Sequence, residues 1–416
     1  MTYQPRIVDS ELAERLQATG AVVIEGPRAC GKTTTAQQIA VSEVRLDVDD
    51  VARRLASLEP ARVLVGNVPR LIDEWQLEPA IWNHMRRAVD DRRQPGQFIL
   101  TGSAVPADDA TRHTGAGRLT RLRMRPLSLF ELGHSTGEVS LAALLEGMPA
   151  RAGRSVILLD DLAGLICVGG WPVNLGRSTQ TALRANRDHL DEIRRLDIAN
   201  GDGRKRDPVR VGMLLRSLAR NVATPVATAT LASDTGEGVS AIREHTAADY
   251  LRALERIMIV ENQPAWPTHL RSRSVLRSKP IRHLADPSLA VAAVRATPAR
   301  LLRDLDFLGF LFESMVVRDL RVYAQAADAE VFHYREKGGL EVDAIVQAND
   351  GRWAAFEVKL GEGRADAGAT NLLRLAERVD PVSMGEPMAL GVIVSGGYGY
   401  TREDGVSVIP IGALGP

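Results

Sequence analysis

Apolar and polar positions follow two rhythms along the chain. The apolar run Ala21-Val22-Val23-Ile24 predicts a buried strand, and Thr34 to Ala40 after it reads as a helix. Glu43-Val44-Arg45-Leu46-Asp47 alternates as a second strand, Arg70-Leu71-Ile72 leads into two acids, and Gln97 to Thr101 gives a further strand after a helical Ile81 to Asp90. Strands alternating with helices predict a parallel sheet with helices on both faces, and a ligand at the carboxyl ends of its strands. Helical periodicity then dominates through Thr181 to Ile198, Val211 to Arg220 and Thr246 to Glu255, before apolar Ile257 to Val260 and Arg282 to Asp286 return as strands. The last third opens on a helix, Leu311 to Leu320, predicted to be amphipathic. Three strands follow, Val331 to Arg335, Leu340 to Val346 and Trp353 to Lys359, punctuated by Gly338-Gly339 and Asp350-Gly351. The chain reads as α/β in three domains, residues 1–150, 151–296 and 297–416.

Composition narrows the classes without choosing among them. The 416 residues carry 45% hydrophobic, 25% charged and 4% aromatic side chains, as in ordinary globular proteins. Lys+Arg and Asp+Glu balance at 52 each, so no global field attracts nucleic acid or membrane, and any such affinity is local. Two cysteines, Cys30 and Cys167, make no disulfide framework and fit a reducing, cytoplasmic setting. No apolar run approaches the roughly 18 residues of a membrane span, and no signal-peptide core follows Met1, so no membrane partner is expected.

The strongest chemical signal lies between the first strand and helix. Gly26-Pro27-Arg28-Ala29-Cys30-Gly31-Lys32-Thr33 brackets four residues with glycines and ends in Lys-Thr, the pattern of a phosphate-binding loop. The backbone of Gly26 to Gly31, with Lys32, Thr33 and Thr34 opening the helix, suits triphosphate oxygens, because glycines let amides curl inward and a helix N-terminus favours negative charge. Lys32 would reach the β- and γ-phosphates and Thr33 would ligate Mg²⁺. Asp73 and Glu74, at a strand end, are the expected partners: Asp73 for the metal, Glu74 to polarise the attacking water. Ser103, after the strand that ends at Thr101, is the candidate sensor of the γ-phosphate; Thr101 competes for that role, and a plain Gly-Ser turn is the alternative. Arg118 is a candidate arginine finger, in its own or a neighbouring subunit, whereas Arg121, Arg123 and Arg125 alternate like the exposed face of a strand. ATP and Mg²⁺ are the expected ligands, and a finger supplied in trans would imply a homo-oligomer.

In the middle region two helices followed by two strands suit a winged helix. The connecting loop from Arg271 to Arg282, with Arg273, Arg277 and Lys279 and Trp266 before it, would contact DNA phosphates as a basic wing; a solvated surface is the competing reading. In the last domain strand alternation brings Asp343, Glu357 and Lys359 within reach of one another across paired strands, and two carboxylates beside a lysine can bind Mg²⁺ for phosphodiester cleavage. Charge inside the otherwise apolar strand Trp353 to Lys359 is costly without a role.

The Asp…Glu-x-Lys arrangement resembles the core of the restriction-endonuclease-like nucleases. In that family a further metal-binding acid comes from the preceding helix, and Glu313 is its candidate here. Taken with Gly26 to Thr33, Ile72-Asp73-Glu74, Thr101-Gly102-Ser103, Pro126-Leu127-Ser128 through Glu131, and Gly169-Gly170-Trp171-Pro172, the chain resembles a bacterial and archaeal group of AAA-type ATPases that carry a nuclease-like C-terminal domain. The resemblance implies an ATPase core. Coupling of its ATP hydrolysis to an action on DNA is the leading expectation from the residues themselves, with cleavage by the last domain left open. The alternative is a nucleotide-switched signalling or assembly protein on an inactive nuclease-like scaffold.

Overall fold

Five short strands, the central three with apolar side chains on both faces, build the first sheet of this computed structural model, which describes residues 3–102, 115–150, 153–198, 206–236, 241–267, 279–336 and 338–416. They are β1 (Ala21–Glu25), β2 (Ser42–Arg45), β3 (Arg70–Asp73), β4 (Phe98–Gly102) and β5 (Leu119–Arg123), with helices α1 (Val8–Ala18), α2 (Lys32–Gln37), α3 (Asp50–Leu58), α4 (Pro60–Val63) and α5 (Ile81–Arg92) between and beside them. All pairs are parallel, in the order β2-β3-β4-β1-β5. One face of this α/β sheet carries Ala21, Val23, Ile72, Phe98 and Leu100 against Ile81, Met85 and Val89 of α5 and Ala56 and Val63 of α3 and α4. The alternate residues Val22, Ile24, Leu71 and Ile99 are buried too, as a sheet covered on both faces requires. Placing β4 between β1 and β3 sets the end of the phosphate-loop strand one strand away from the end of the acid-bearing strand, with Thr101 at the gap.

The chain divides into two compact units: residues 1–126 with 195–206 and 252–259, and residues 127–194 with 207–251 and 260–416. Leu127 to Phe130 is bonded within the second unit. Leu127 N–H donates to the Gly170 carbonyl at 2.7 Å, and Leu129 N–H to Asp319 at 3.0 Å. The middle and C-terminal segments fall mainly in this one unit.

In sequence order the helices Pro208–Arg220, Thr228–Ser233 and Glu244–Arg256 precede an antiparallel pair, Val260–Gln263 with Ile281–Leu284. The first of these strands starts three residues later than the apolar run suggested, and the last helix starts at Glu244, two residues ahead of the periodic pattern. Arg271, Arg273 and Arg277 lie outside the described residues. Arg282 donates to the Val226 carbonyl at 2.7 Å, so at least one donor of this basic residue serves the fold.

The six-stranded sheet of the second unit runs in the order Ala329–Arg335, Glu341–Ala348, Trp353–Lys359, Ala389–Val394, Ser407–Pro410, Tyr400–Thr401. Its first three strands are antiparallel neighbours, and the next two pairings are parallel. The helix Ala365–Arg378 covers one face through Ala369, Leu372 and Leu375, which pack with Ile345, Trp353, Ala355, Val392 and Val394. The helix Leu305–Ala326, capped by Asp304, contacts the first three strands. It is not amphipathic in the expected way: every residue from Ser314 to Ala324 is buried. Its charges survive there because Arg318 pairs with Asp286 and Asp319, at 2.7 Å each. Among the described residues no helix is long and apolar enough to cross a membrane.

Candidate functional site

Where β1 ends, the chain turns through Gly26 to Gly31 and enters α2 at Lys32. Two residues of the turn are left-handed, Ala29 with φ 64° and Gly31 with φ 104°, and the second is a conformation in which glycine avoids strain. Gly26 is needed for a different reason: a Cβ there would lie 2.2 Å from the Met124 carbonyl oxygen, just past β5. Cys30, fully buried, packs its sulfur against the same carbonyl at 3.9 Å. Lys32 is buried and donates through Nζ to the carbonyls of Gly26 and Pro27, both at 2.9 Å, so its ammonium is bound to the first two residues of the loop.

The acids meet this loop. Asp73, at the end of β3 and 5% exposed, accepts through Oδ1 from Thr33 Oγ1 at 2.9 Å and from Thr101 Oγ1 at 2.5 Å. Three residues from α2, β3 and β4 thus converge on one oxygen, at the carboxyl edge of the sheet. Glu74 follows in a left-handed conformation, φ 54°, which is strained for a residue with a side chain. Its carboxylate accepts from Gln76 Nε2. The strained backbone turns the chain into the short helical turn Trp75–Leu77 directly after the strand.

Other expected residues stand elsewhere. Ser103 lies outside the described residues; the hydroxyl that β4 brings to Asp73 is that of Thr101. Arg118 precedes β5, and because Ala21 is opposite Leu119 in the parallel pairing, it sits at the amino edge of the sheet, the edge away from the phosphate loop. Its guanidinium pairs with Asp90 of α5 at 2.6 Å.

A second polar cluster lies in the C-terminal sheet. Lys359 contacts Glu357 and lies 3.5 Å from Asp343 Oδ2, while Asp343 also accepts from the Val358 amide at 2.8 Å. Asn371, on the helix Ala365–Arg378, donates to Glu357 at 3.2 Å. Burial first, and then the neighbouring Asp343, push the Glu357 carboxyl up to about 8 in spite of the adjacent ammonium. Lys359 is held above its ordinary range by the two carboxylates, which outweigh its burial. Glu313 is raised well above the carboxylate range, by burial and then by Asp343. All four expected residues therefore share one electrostatic neighbourhood. Among the described residues, however, no group of three or more His, Cys, Asp or Glu side chains is arranged to hold a metal ion.

Sequence reasoning missed Asn371 and Arg6. Asn371 is a half-buried polar residue beside the apolar stripe of its helix, and Arg6 lies far ahead of the loop it touches, so no local pattern marks either one.

Comparison with known proteins bears on the N-terminal region. A family model for an AAA domain matches residues 18–133; residues 159–300 and 308–414 match two domains of unknown function, DUF8612 and DUF4143. The chain is similar to the uncharacterized proteins Rv2008c of Mycobacterium tuberculosis and Mb2031c of Mycobacterium bovis, each 24% identical over 377 residues, or 86% of this chain and 74% of the relative. Among solved structures it is similar to the Walker-type ATPase PABY2304 of Pyrococcus abyssi, with a TM-score of 0.40 and 12% identity over 69% of this chain and 94% of that one. The AAA match covers the segment that carries the parallel sheet and the loop at its carboxyl edge, and it supports a P-loop ATPase fold for the N-terminal region.

Proposed function

We propose that the chain binds and hydrolyses ATP with Mg²⁺ at the loop Gly26 to Thr34. The observation that carries this reading is the shared Asp73 oxygen, which joins the loop's Thr33 to the acid strand. The residues present fit the metal: a hydroxyl and a carboxylate are the hard oxygen donors that Mg²⁺ prefers. Thr33 and Asp73 would hold it, and when bound it would neutralise charge on the β- and γ-phosphates. Lys32 Nζ is bonded to two loop carbonyls and would exchange them for phosphate oxygens. Glu74, one residue past Asp73, would orient water and take its proton, and Gln76 donates to one of its oxygens. Hydrolysis in Lys32→Ala at the unaltered rate would overturn the assignment.

Action on DNA is the finer part of the reading. It is supported by the basic composition of Arg271 to Arg282, and it is tested by measuring ATP turnover with single-stranded DNA, duplex DNA, RNA and no addition. The cluster of Glu313, Asp343, Glu357 and Lys359 favours a second reading for the C-terminal region, phosphodiester hydrolysis, in which Lys359 would stabilise developing charge. Mg²⁺-dependent cleavage lost in Glu357→Ala and Lys359→Ala would support it. ATP turnover without cleavage of any nucleic acid would leave this domain a scaffold and favour the nucleotide-switched alternative. The same purified chain, sized with and without ATP, tests self-association.

A further inference from the structure

The segment Tyr3 to Asp9 grips the phosphate loop from outside. Arg6 is 8% exposed; its Nη1 donates to the Cys30 carbonyl at 3.0 Å and its Nη2 to the Arg125 carbonyl at 2.7 Å. The Arg6 amide donates to Asp9 Oδ2 at 2.8 Å, the Tyr3 hydroxyl to Asp9 Oδ1 at 2.6 Å, and that hydroxyl lies 3.0 Å from Thr35 Oγ1 on α2. The guanidinium therefore bridges the phosphate loop and the chain leaving β5, with its own backbone anchored beside it.

One peptide of the loop is fixed by this bridge. In a trans peptide the carbonyl and the N–H of the same plane point in opposite directions. The Cys30 carbonyl shares its plane with the Gly31 N–H, so holding the oxygen on Arg6 turns that N–H to the opposite side. Gly31, with φ 104°, has no side chain to disfavour rotation of the peptide before it, and the plane needs an external hold. A charged fork donating to a carbonyl is a strong hold, and it suits two acceptors at once, which a lysine ammonium does less well.

We propose that Arg6 is a positioning residue that locks the Cys30–Gly31 peptide so that the Gly31 N–H is presented to the phosphate of bound nucleotide. The proposal rests on the nucleotide reading given above. Titration of the full chain with MgADP, alongside Arg6→Ala and Arg6→Lys, tests it when thermal melting is followed in parallel. The expected result is a rise in Kd of about tenfold or more in Arg6→Ala, an intermediate rise in Arg6→Lys, and partial recovery of Arg6→Ala on adding guanidinium ion. Should Arg6→Ala fail to fold, Arg6→Lys carries the test. Unchanged affinity in the folded variants overturns the proposal and leaves the nucleotide reading standing. Weakened binding that tracks lost melting temperature, and that guanidinium does not restore, overturns it in favour of a structural role. No MgADP binding by the unaltered chain overturns both.

Discussion

Replacing Gly26 by alanine would put a methyl carbon 2.2 Å from the Met124 carbonyl oxygen, 3.2 Å from its carbon and 3.0 Å from the Cys30 sulfur. Carbon and oxygen rarely approach within about 3 Å, so the loop or the exit of β5 must move by about 0.8 Å in a close-packed region. The β5 side resists: Met124 N–H is bonded to the Glu25 carbonyl at 2.7 Å, and the next carbonyl, of Arg125, is held by Arg6. The loop takes most of the shift. Overpacking of this kind costs about 1–3 kcal/mol of stability. An amide displaced from a phosphate oxygen forfeits a hydrogen bond to a charged group, about 1.5–3 kcal/mol, or about tenfold to a hundredfold in Kd. Calorimetric titration with MgADP measures the second quantity and thermal melting the first. Gly164→Ala is the control, since nothing lies within 4 Å of that position in the helix Leu159–Val168. It should leave affinity unchanged and stabilise by about 0.5–1 kcal/mol. A Gly26→Ala chain that binds MgADP as tightly as the unaltered one would refute the close-approach argument.

Thr33→Val and Asp73→Asn should be strongly non-additive in kcat, with a coupling of about 0.5–3 kcal/mol, because they share one hydrogen bond; additive losses would show that the contact has no part in turnover. Arg318→Met would leave Asp286 and Asp319 buried without their cation and should destabilise the second unit by about 3–5 kcal/mol; a denaturant midpoint that does not move would count against the network. Glu357 holds its proton up to about 8 in the folded chain, against 4.5 ordinarily, so its protonated form stabilises fully below about 4.5, and that contribution is lost as pH rises through about 8. Melting at about pH 5 and about pH 8.5 should therefore differ less in Glu357→Gln than in the unaltered chain, and an equal difference in both would show that this carboxyl does not govern the slope.

The phosphate loop was legible because its parts are contiguous: strand, glycine-bracketed turn and helix occupy Ala21 to Gln37 without interruption. Asp73 was legible as an acid at a strand end. Its contact with Thr101 was not, since it depends on β4 lying between β1 and β3, and strand order is a long-range property that no local pattern encodes. The same gap explains Arg118. A basic residue beside an apolar strand reads the same at either end, and only the parallel pairing of β5 with β1 puts it at the amino edge. Asp343, Glu357 and Lys359 were within reach of sequence reasoning because period-two alternation and the turn at Asp350-Gly351 bring two strands together. The burial of Arg318 and Asp319 was not, because a charged pair on a helix marks a solvated face until its distant partner, here Asp286, is known.

That network also explains two motifs that look functional in the sequence. Gly170 approaches Leu127 so closely that a Cβ would meet the Leu127 carbonyl at 2.1 Å, and the Gly170 N–H donates to Asp286 at 2.9 Å. Trp171 donates from its indole to Ser288 at 3.0 Å, and the Ser288 amide donates to Asp286 at 2.9 Å. Glu131 accepts from the Ser128 amide at 2.8 Å, closing the turn whose next amide, of Leu129, reaches Asp319. The two acids outnumber the one arginine among them, and backbone amides supply the remaining donors. Burial holds Asp319 up to about 6 even so, the mark of a site whose desolvation is not fully compensated by Arg318. Such an arrangement adds little net stability compared with apolar packing, but it accepts only backbones that bring the right N–H groups to the right oxygens. The conjunction of Leu127 to Glu131 with Gly169 to Pro172 thus fixes how these two segments pack within the second unit, and neither motif need carry chemistry of its own.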